Sequence, residues 1–179
     1  AHTMGDDDRE ALAKHARRVA LEVTSALKSA QQDPAIELDA DLRPEGRSGP
    51  YVRTLESYRR YYEAWSEPWE AQALLRARPI AGDNDLMSDY VDMINPLRYP
   101  QILPVRSIMQ VRRLKARMED ERLPRGADRR QHVKLGTGGL SDVEWTVQLL
   151  QLQHAAEHPG LRTTSTLPAL AAARDEGLV

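Results

Sequence analysis

Between about residues 8 and 31 apolar side chains recur at Leu12, Ala16, Val19, Ala20, Val23 and Leu27. This is helical spacing with one face marked for burial, and Asp7 followed three residues later by Glu10 fits its start. After Asp33-Pro34 the period changes. Ile36, Leu38, Ala40 and Leu42 alternate with Glu37, Asp39, Asp41 and Arg43, the pattern of a half-buried strand. Residues 44–50 read as a turn, and Tyr51 to Arg53 as a short strand that pairs back. Beyond that point the spacing predicts helices over 54–65, 66–78, 83–94, 105–122, 142–157 and 167–176. Thr54 and Ser66 serve as caps, Pro79, Gly82, Asn95-Pro96, Pro100 and Pro104 as breaks, and Gly177 as the final stop.

The fold class that follows is α+β, mostly α: a strand-containing part over residues 1–82, then a helical bundle over 83–179. One strand, or two, cannot form a stable sheet alone. Partner strands are required from preceding sequence, from another chain, or from segments whose pattern does not reveal them.

Composition narrows the class. The hydrophobic fraction is 41% and the charged fraction 29%, as in a globular protein with a core. No run approaches the length of a membrane helix, and the acidic N-terminus lacks the apolar stretch of a signal peptide. There is no cysteine, so disulfide and thiolate chemistry are excluded and a reducing cytoplasm is the expected home. A net charge of −2 gives no general attraction to nucleic acid. Lysine occurs only at Lys14, Lys28, Lys115 and Lys134 among 25 basic residues. A single arginine is therefore weak evidence for a site, and Lys134 stands out.

Three segments carry candidate chemistry. In Glu37 to Gly46, alternation sets Glu37, Asp39 and Asp41 on one strand face. Such a face is either solvated or compensated, by a cation such as Mg²⁺ or by Arg43 nearby. In Lys134 to Trp145, Gly136, Gly138 and Gly139 lead into a helix. Ser141 and Glu144 fit a capping box there, and Leu140 and Trp145 a hydrophobic staple. The loop is either a well-capped helix start or an anion site built on backbone N–H groups and Lys134. It is neither a P-loop nor a dinucleotide fingerprint. In Trp65 to Arg78, the residues Trp69, Gln72, Ala73 and Arg76 share a helix face, either core or a cradle for a base or phosphate. His154 and His158 have the spacing of a zinc pair but no acidic partner between them, and read as a solvated helix end.

Taken in order, Asp39 to Gly46, Trp69 to Arg78, Lys134 to Glu144 and the tail Leu161 to Leu167 resemble the glutamine synthetase adenylyltransferase family. The resemblance covers nearly the whole chain. PII uridylyltransferases share parts of it but fit the tail less well, and the tail looks more like the attaching, C-terminal unit of actinobacterial-type members. The resemblance implies a DNA polymerase β-like nucleotidyltransferase, with residues 1–82 as the end of its sheet domain and 83–179 as the helical domain behind. It implies AMP transfer from ATP with Mg²⁺ to a tyrosine of glutamine synthetase, or phosphorolytic removal, in the control of nitrogen assimilation. The implied partners are glutamine synthetase and the PII signalling protein, with no nucleic acid and no membrane.

Asp39 matches the third metal-binding, catalytic carboxylate of this family. Lys134, Gly136, Gly138, Gly139 and Arg76 are the candidate nucleotide-binding set. The family's Gly-Ser-Asp-x-Asp loop is absent, and Gly5-Asp6-Asp7-Asp8 lacks its strand context. The family usually has a basic residue where Asp41 stands. The chain alone is therefore expected to be inactive. A non-catalytic docking module for glutamine synthetase or PII, and a PII uridylyltransferase-type enzyme, are the competing readings.

Overall fold

The computed structural model describes residues 6–28, 36–124 and 126–179. It is mostly helical: α1 (Asp6–Leu27), α2 (Leu55–Trp65), α3 (Pro68–Leu74), α4 (Asn84–Arg98), α5 (Val105–Arg122), α6 (Leu140–His154) and α7 (Thr166–Asp175). Short 3₁₀ turns form at Gly46–Ser48 and Pro159–Leu161. The chain divides into two compact units, Ala1–Trp65 and Ser66–Val179. The expected break at 82/83 lies inside the second. No helix among the described residues is long and apolar enough to cross a membrane.

In the first unit the alternating segment does not form the expected strand, and no strand occurs among the described residues. Residues 36–40 have no regular secondary structure, and the chain turns from Asp41 onward. An isolated strand leaves its N–H and C=O groups without a ladder. Here local bonds win instead. Helix α1 forms as its spacing predicts, but its apolar face is open, with Leu12 55%, Val19 43% and Val23 51% exposed. Thr24 Oγ1 meets the Tyr51 hydroxyl at 2.8 Å, which ties α1 to the segment ahead of α2. Thr54 caps α2, its Oγ1 accepting the Ser57 N–H at 3.2 Å.

The second unit has a buried centre of Leu75, Tyr99, Leu152, Ala155, Leu161 and Ala173. Glu67, not Ser66, caps α3, in a reciprocal capping box with Glu70. Helix α4 runs through Pro96 to Arg98, past the stop expected at Asn95-Pro96. Only two residues of α4 follow the proline, and Arg98 grips the Asn95 Oδ1 from Nε and Nη2 at 3.0 and 2.8 Å. Helix α7 ends as the sequence predicts. Gly177 takes φ +69°, and Leu178 N–H returns to the Ala173 carbonyl at 2.8 Å, a glycine-terminated C-cap.

Two arginines close helix ends around one ring. Arg98 Nη1 donates to the Ala77 carbonyl after α3 at 2.9 Å. Arg162 donates to the carbonyls of Ala155 and Ala156 after α6 at 2.7 and 2.8 Å. Their guanidinium carbons lie 5.0 and 5.6 Å from the centroid of the Tyr99 ring, a cation–π arrangement. Burial raises the Tyr99 pKa, and the two arginine charges oppose that rise without cancelling it.

Candidate functional site

Asp39 sits in a loop. Its carboxylate is exposed, and Oδ1 accepts the Asp41 N–H at 2.8 Å. The three acids do not share a strand face. Asp41 turns away to an ion pair with Arg47 at 2.7 Å, and the hydrogen bond and charge of Asp41 raise the Arg47 pKa. The loop is held from inside by Arg43. It donates from Nη1 to the Ala40 carbonyl at 2.7 Å, from Nη2 to Arg47 O at 3.2 Å, and from Nη2 and Nε to Gly49 O at 3.2 and 3.3 Å. The same guanidinium lies over the Tyr51 ring, 5.6 Å from its centroid. A Cβ at Gly49 would meet the Pro44 carbonyl oxygen at 2.2 Å, so the loop closes only around a glycine. The hydrogen-bonded, exposed carboxylate of Asp39 fits one position in a Mg²⁺ shell, which takes hard oxygen ligands. Among the described residues no group of three or more His, Asp or Glu is arranged to hold a metal.

The glycine loop belongs to the second unit, and its N–H groups are spent internally. Gly136 N–H goes to His132 O at 2.7 Å, Gly139 N–H to Gly136 O at 2.9 Å, Leu140 N–H to Val133 O at 2.9 Å and Ser141 N–H to Lys134 O at 3.0 Å. Gly138 N–H donates to Asp142 Oδ2 at 2.6 Å. The glycines have local reasons. A Cβ at Gly136 would meet the carbonyl oxygens of Arg129 and His132 at 2.4 and 2.5 Å, and one at Gly139 that of Val133 at 2.7 Å. Gly138 takes φ +75°, a conformation side chains resist. Lys134 is exposed.

The helix start differs from the expected capping box. Helix α6 begins at Leu140 with Gly139 as N-cap and no side-chain cap bond there. Leu140 is 64% exposed, which removes the expected staple. Asp142 does the local work. It also bonds Lys115 of α5, which bonds Glu119 as well. The Lys115 bond and then the Gly138 N–H hold the Asp142 pKa below its ordinary value, against a smaller effect of burial. For Lys115 burial opposes the charge, yet the bonds and charges of Asp142 and Glu119 raise its pKa.

Glu144 instead reaches Arg76, whose Nη2 lies 3.1 Å from Oε1. Arg76 also donates to the Thr164 carbonyl, and to Thr166 Oγ1 at 2.6 Å. Arg76 and the glycine loop are thus joined through the first turns of α6. Of the residues expected on the same α3 face, Gln72 is buried against Gln148, Nε2 to Oε1 2.6 Å, while Trp69 remains 39% exposed. His158 bonds Glu176 at 2.9 Å, so this histidine serves the end of α7, and His154 meets its ring, 6.4 Å between centroids. Lys115 was the residue that the sequence pattern did not single out. Its rarity and its place four residues before Glu119 are the signals that mark it.

Residues 2–92, half of the chain, match the family model described as glutamate-ammonia ligase adenylyltransferase. The chain belongs to this family. Glutamate–ammonia ligase is glutamine synthetase. Residues 112–178 match the model described as GlnD PII-uridylyltransferase. Among similar proteins is a bifunctional glutamine synthetase adenylyltransferase/adenylyl-removing enzyme of Streptomyces coelicolor. It is 59% identical over 165 residues, 92% of this chain and 16% of that protein. The protein of the same description from Mycobacterium tuberculosis is 54% identical over 167 residues, 93% of this chain and 17% of the relative. That of Cutibacterium acnes is 52% identical over 173 residues, 96% and 18%. The chain spans about a sixth of the length of the curated relatives it matches. Within this adenylyltransferase family, the first match takes in the Asp39 loop and α3, and the second takes in α6 and α7.

Proposed function

We propose that this chain is part of an enzyme that transfers AMP from ATP to a tyrosine of glutamine synthetase, or removes it by phosphorolysis. The observation that carries this reading is the likeness to adenylyltransferase/adenylyl-removing enzymes across more than nine-tenths of the chain. Residues 1–82 are assigned to the end of the nucleotidyltransferase domain and 83–179 to the helical domain after it. The alternating segment at 36–42 would join the sheet once partner strands lie beside it. Glutamine synthetase is the proposed protein substrate, and the cytoplasm, where ATP is available, the proposed location. The match of residues 112–178 to the PII-uridylyltransferase model supports PII as a further partner.

Asp39 is the residue assigned to the metal and to catalysis. When bound, Mg²⁺ supplies charge stabilisation at the phosphoryl oxygens. The chain's own residues prepare the carboxylate. Arg43 closes the loop beneath it, Arg47 neutralises Asp41, and the Asp41 N–H fixes one of its oxygens. For the glycine loop the internal bonding favours an architectural role. Arg76, committed to α6 and the segment before α7, serves the same joint.

The test is Asp39→Asn in the complete protein, assayed with labelled ATP, Mg²⁺ and glutamine synthetase. AMP incorporation is expected to fall by about 100-fold or more, with a melting temperature close to wild type because the side chain is exposed. Near-normal turnover would refute the metal assignment. The 179-residue chain alone is expected to incorporate none.

A further inference from the structure

Helix α5 carries charge that its own stability does not explain. Residues 101–118 contain no acidic side chain, although the chain holds 27 of them and has a net charge of −2. Five basic residues fall there. Lys115 is taken up by Glu119 and Asp142, and Arg117 approaches Glu121 at 3.8 Å. Arg106, Arg112 and Arg113 are exposed and make no ion pair among the described residues. The first turn of α5 has no acidic residue, so Arg106 faces the positive end of the helix dipole unrelieved, an unfavourable placement.

The pattern around the helix gives these arginines a common surface. Ser107 and Val111 point inward and are buried. On the outer side Val105, Met109 and Ala116 form one row at helical spacing, with Val105 73% and Met109 43% exposed. Ile102, 83% exposed, lies just ahead of the helix. Arg106, Arg113 and Arg117 form the neighbouring row, and Arg112 borders the apolar row on its other side. An apolar strip is thereby rimmed with positive charge.

We propose that this face docks an acidic, partly apolar surface of a partner protein. Resting on the function proposed above, that partner is the protein substrate, glutamine synthetase. Charge complementarity selects an acidic partner. The apolar strip selects protein over nucleic acid, because phosphates offer it nothing to bury against and the strip has no aromatic ring for base stacking. Three or four aliphatic side chains without an aromatic are too little for a membrane surface.

The experiment uses the complete protein and its double variants Arg106→Glu/Arg113→Glu and Val105→Ser/Met109→Ser. Surface plasmon resonance on immobilised glutamine synthetase is run from about 50 to about 300 mM salt. Charge reversal is expected to weaken binding about tenfold, mainly through slower association, and to flatten the salt dependence. The serine variant is expected to dissociate faster. In both, the KM for glutamine synthetase rises with kcat for AMP transfer and melting temperature unchanged. Wild-type transfer with unaltered binding and KM in both variants overturns this inference alone, whereas no transfer by the wild type sinks the proposed function. A marked fall in melting temperature would place the face against the rest of the protein, and tighter binding of duplex RNA than of glutamine synthetase would assign it to nucleic acid. Either result overturns the proposal.

Discussion

The two units keep their apolar residues in opposite ways. In Ser66–Val179, Leu75, Leu152, Leu161, Ala155 and Ala173 have no exposed surface to speak of, and arginines close the helix ends above them. In Ala1–Trp65, Leu12, Val19, Val23, Ile36 and Leu42 all remain largely exposed, and order comes from polar contacts instead. The second unit is stabilised by burial, whereas the first, which buries Tyr62 and Pro44, relies more on a closed loop and a few cross-links. Substitutions of the same kind should therefore have different consequences in the two.

The largest contrast is expected between Leu161→Ala and Val23→Ala. The first empties a fully buried site and should cost about 2–5 kcal/mol. The second removes a side chain that is 51% exposed and should change stability by about 0.5 kcal/mol or less. Denaturant unfolding of the 179-residue chain measures both. A large loss from Val23→Ala would mean that α1 buries its face after all, and would end the comparison.

Arg98→Met sharpens the claim that arginines, not apolar contacts alone, hold the second unit. It leaves the Ala77 carbonyl without its donor and removes one cation from the Tyr99 ring. About 2–3 kcal/mol of destabilisation is expected. A neutral result would mean that the buried stem of the side chain, which methionine retains, supplies its contribution.

The ion cluster at the start of α6 predicts a pH dependence. Asp142 has a lowered pKa in the folded chain. Its contribution is present above the unfolded value of about 3.9 and lost as pH falls through the folded value. Lys115 has a raised pKa, so its contribution is complete below about 10.4 and lost as pH rises beyond that. Asp142→Asn should cost on the order of 1 kcal/mol at neutral pH, with wild type and variant converging as the pH falls through the lowered folded value. Melting curves across that range test it, and a constant difference would contradict the ion pair.

Periodicity made the helices legible, and glycine chemistry fixed the end of α7 at Gly177. The segment 36–42 forms no strand here because alternation states only which side chains would face apart. Whether a ladder forms depends on partners that local pattern cannot supply. The capping box failed for a related reason. Glu144 has a competing partner in Arg76, 68 residues away in sequence, and Gly138 found its acceptor in Asp142. Arginine abundance hid Arg98 and Arg162, whose acceptors are helix-end carbonyls brought near only by packing. The turn over residues 44–50, with Gly49 in it, was legible, but neither the place of Asp39 in a loop nor the ion pair that takes Asp41 away from it was.

The smallest expected effect is that of Lys134→Ala, and it decides between the two readings of the glycine loop. An anion site at a helix start needs free N–H groups. Here the N–H groups of Gly136, Gly138, Gly139, Leu140 and Ser141 already have acceptors within the loop, and Asp142 lies where a phosphate would be repelled. The exposed Lys134 side chain is the remaining positive group, while its carbonyl, which the substitution preserves, accepts the Ser141 N–H. An architectural loop therefore predicts a change of about 0.5 kcal/mol or less in stability and an unaltered KM for ATP in the complete protein. A KM raised about tenfold at constant melting temperature would instead make Lys134 a phosphate contact, and would move the loop from scaffold to substrate site.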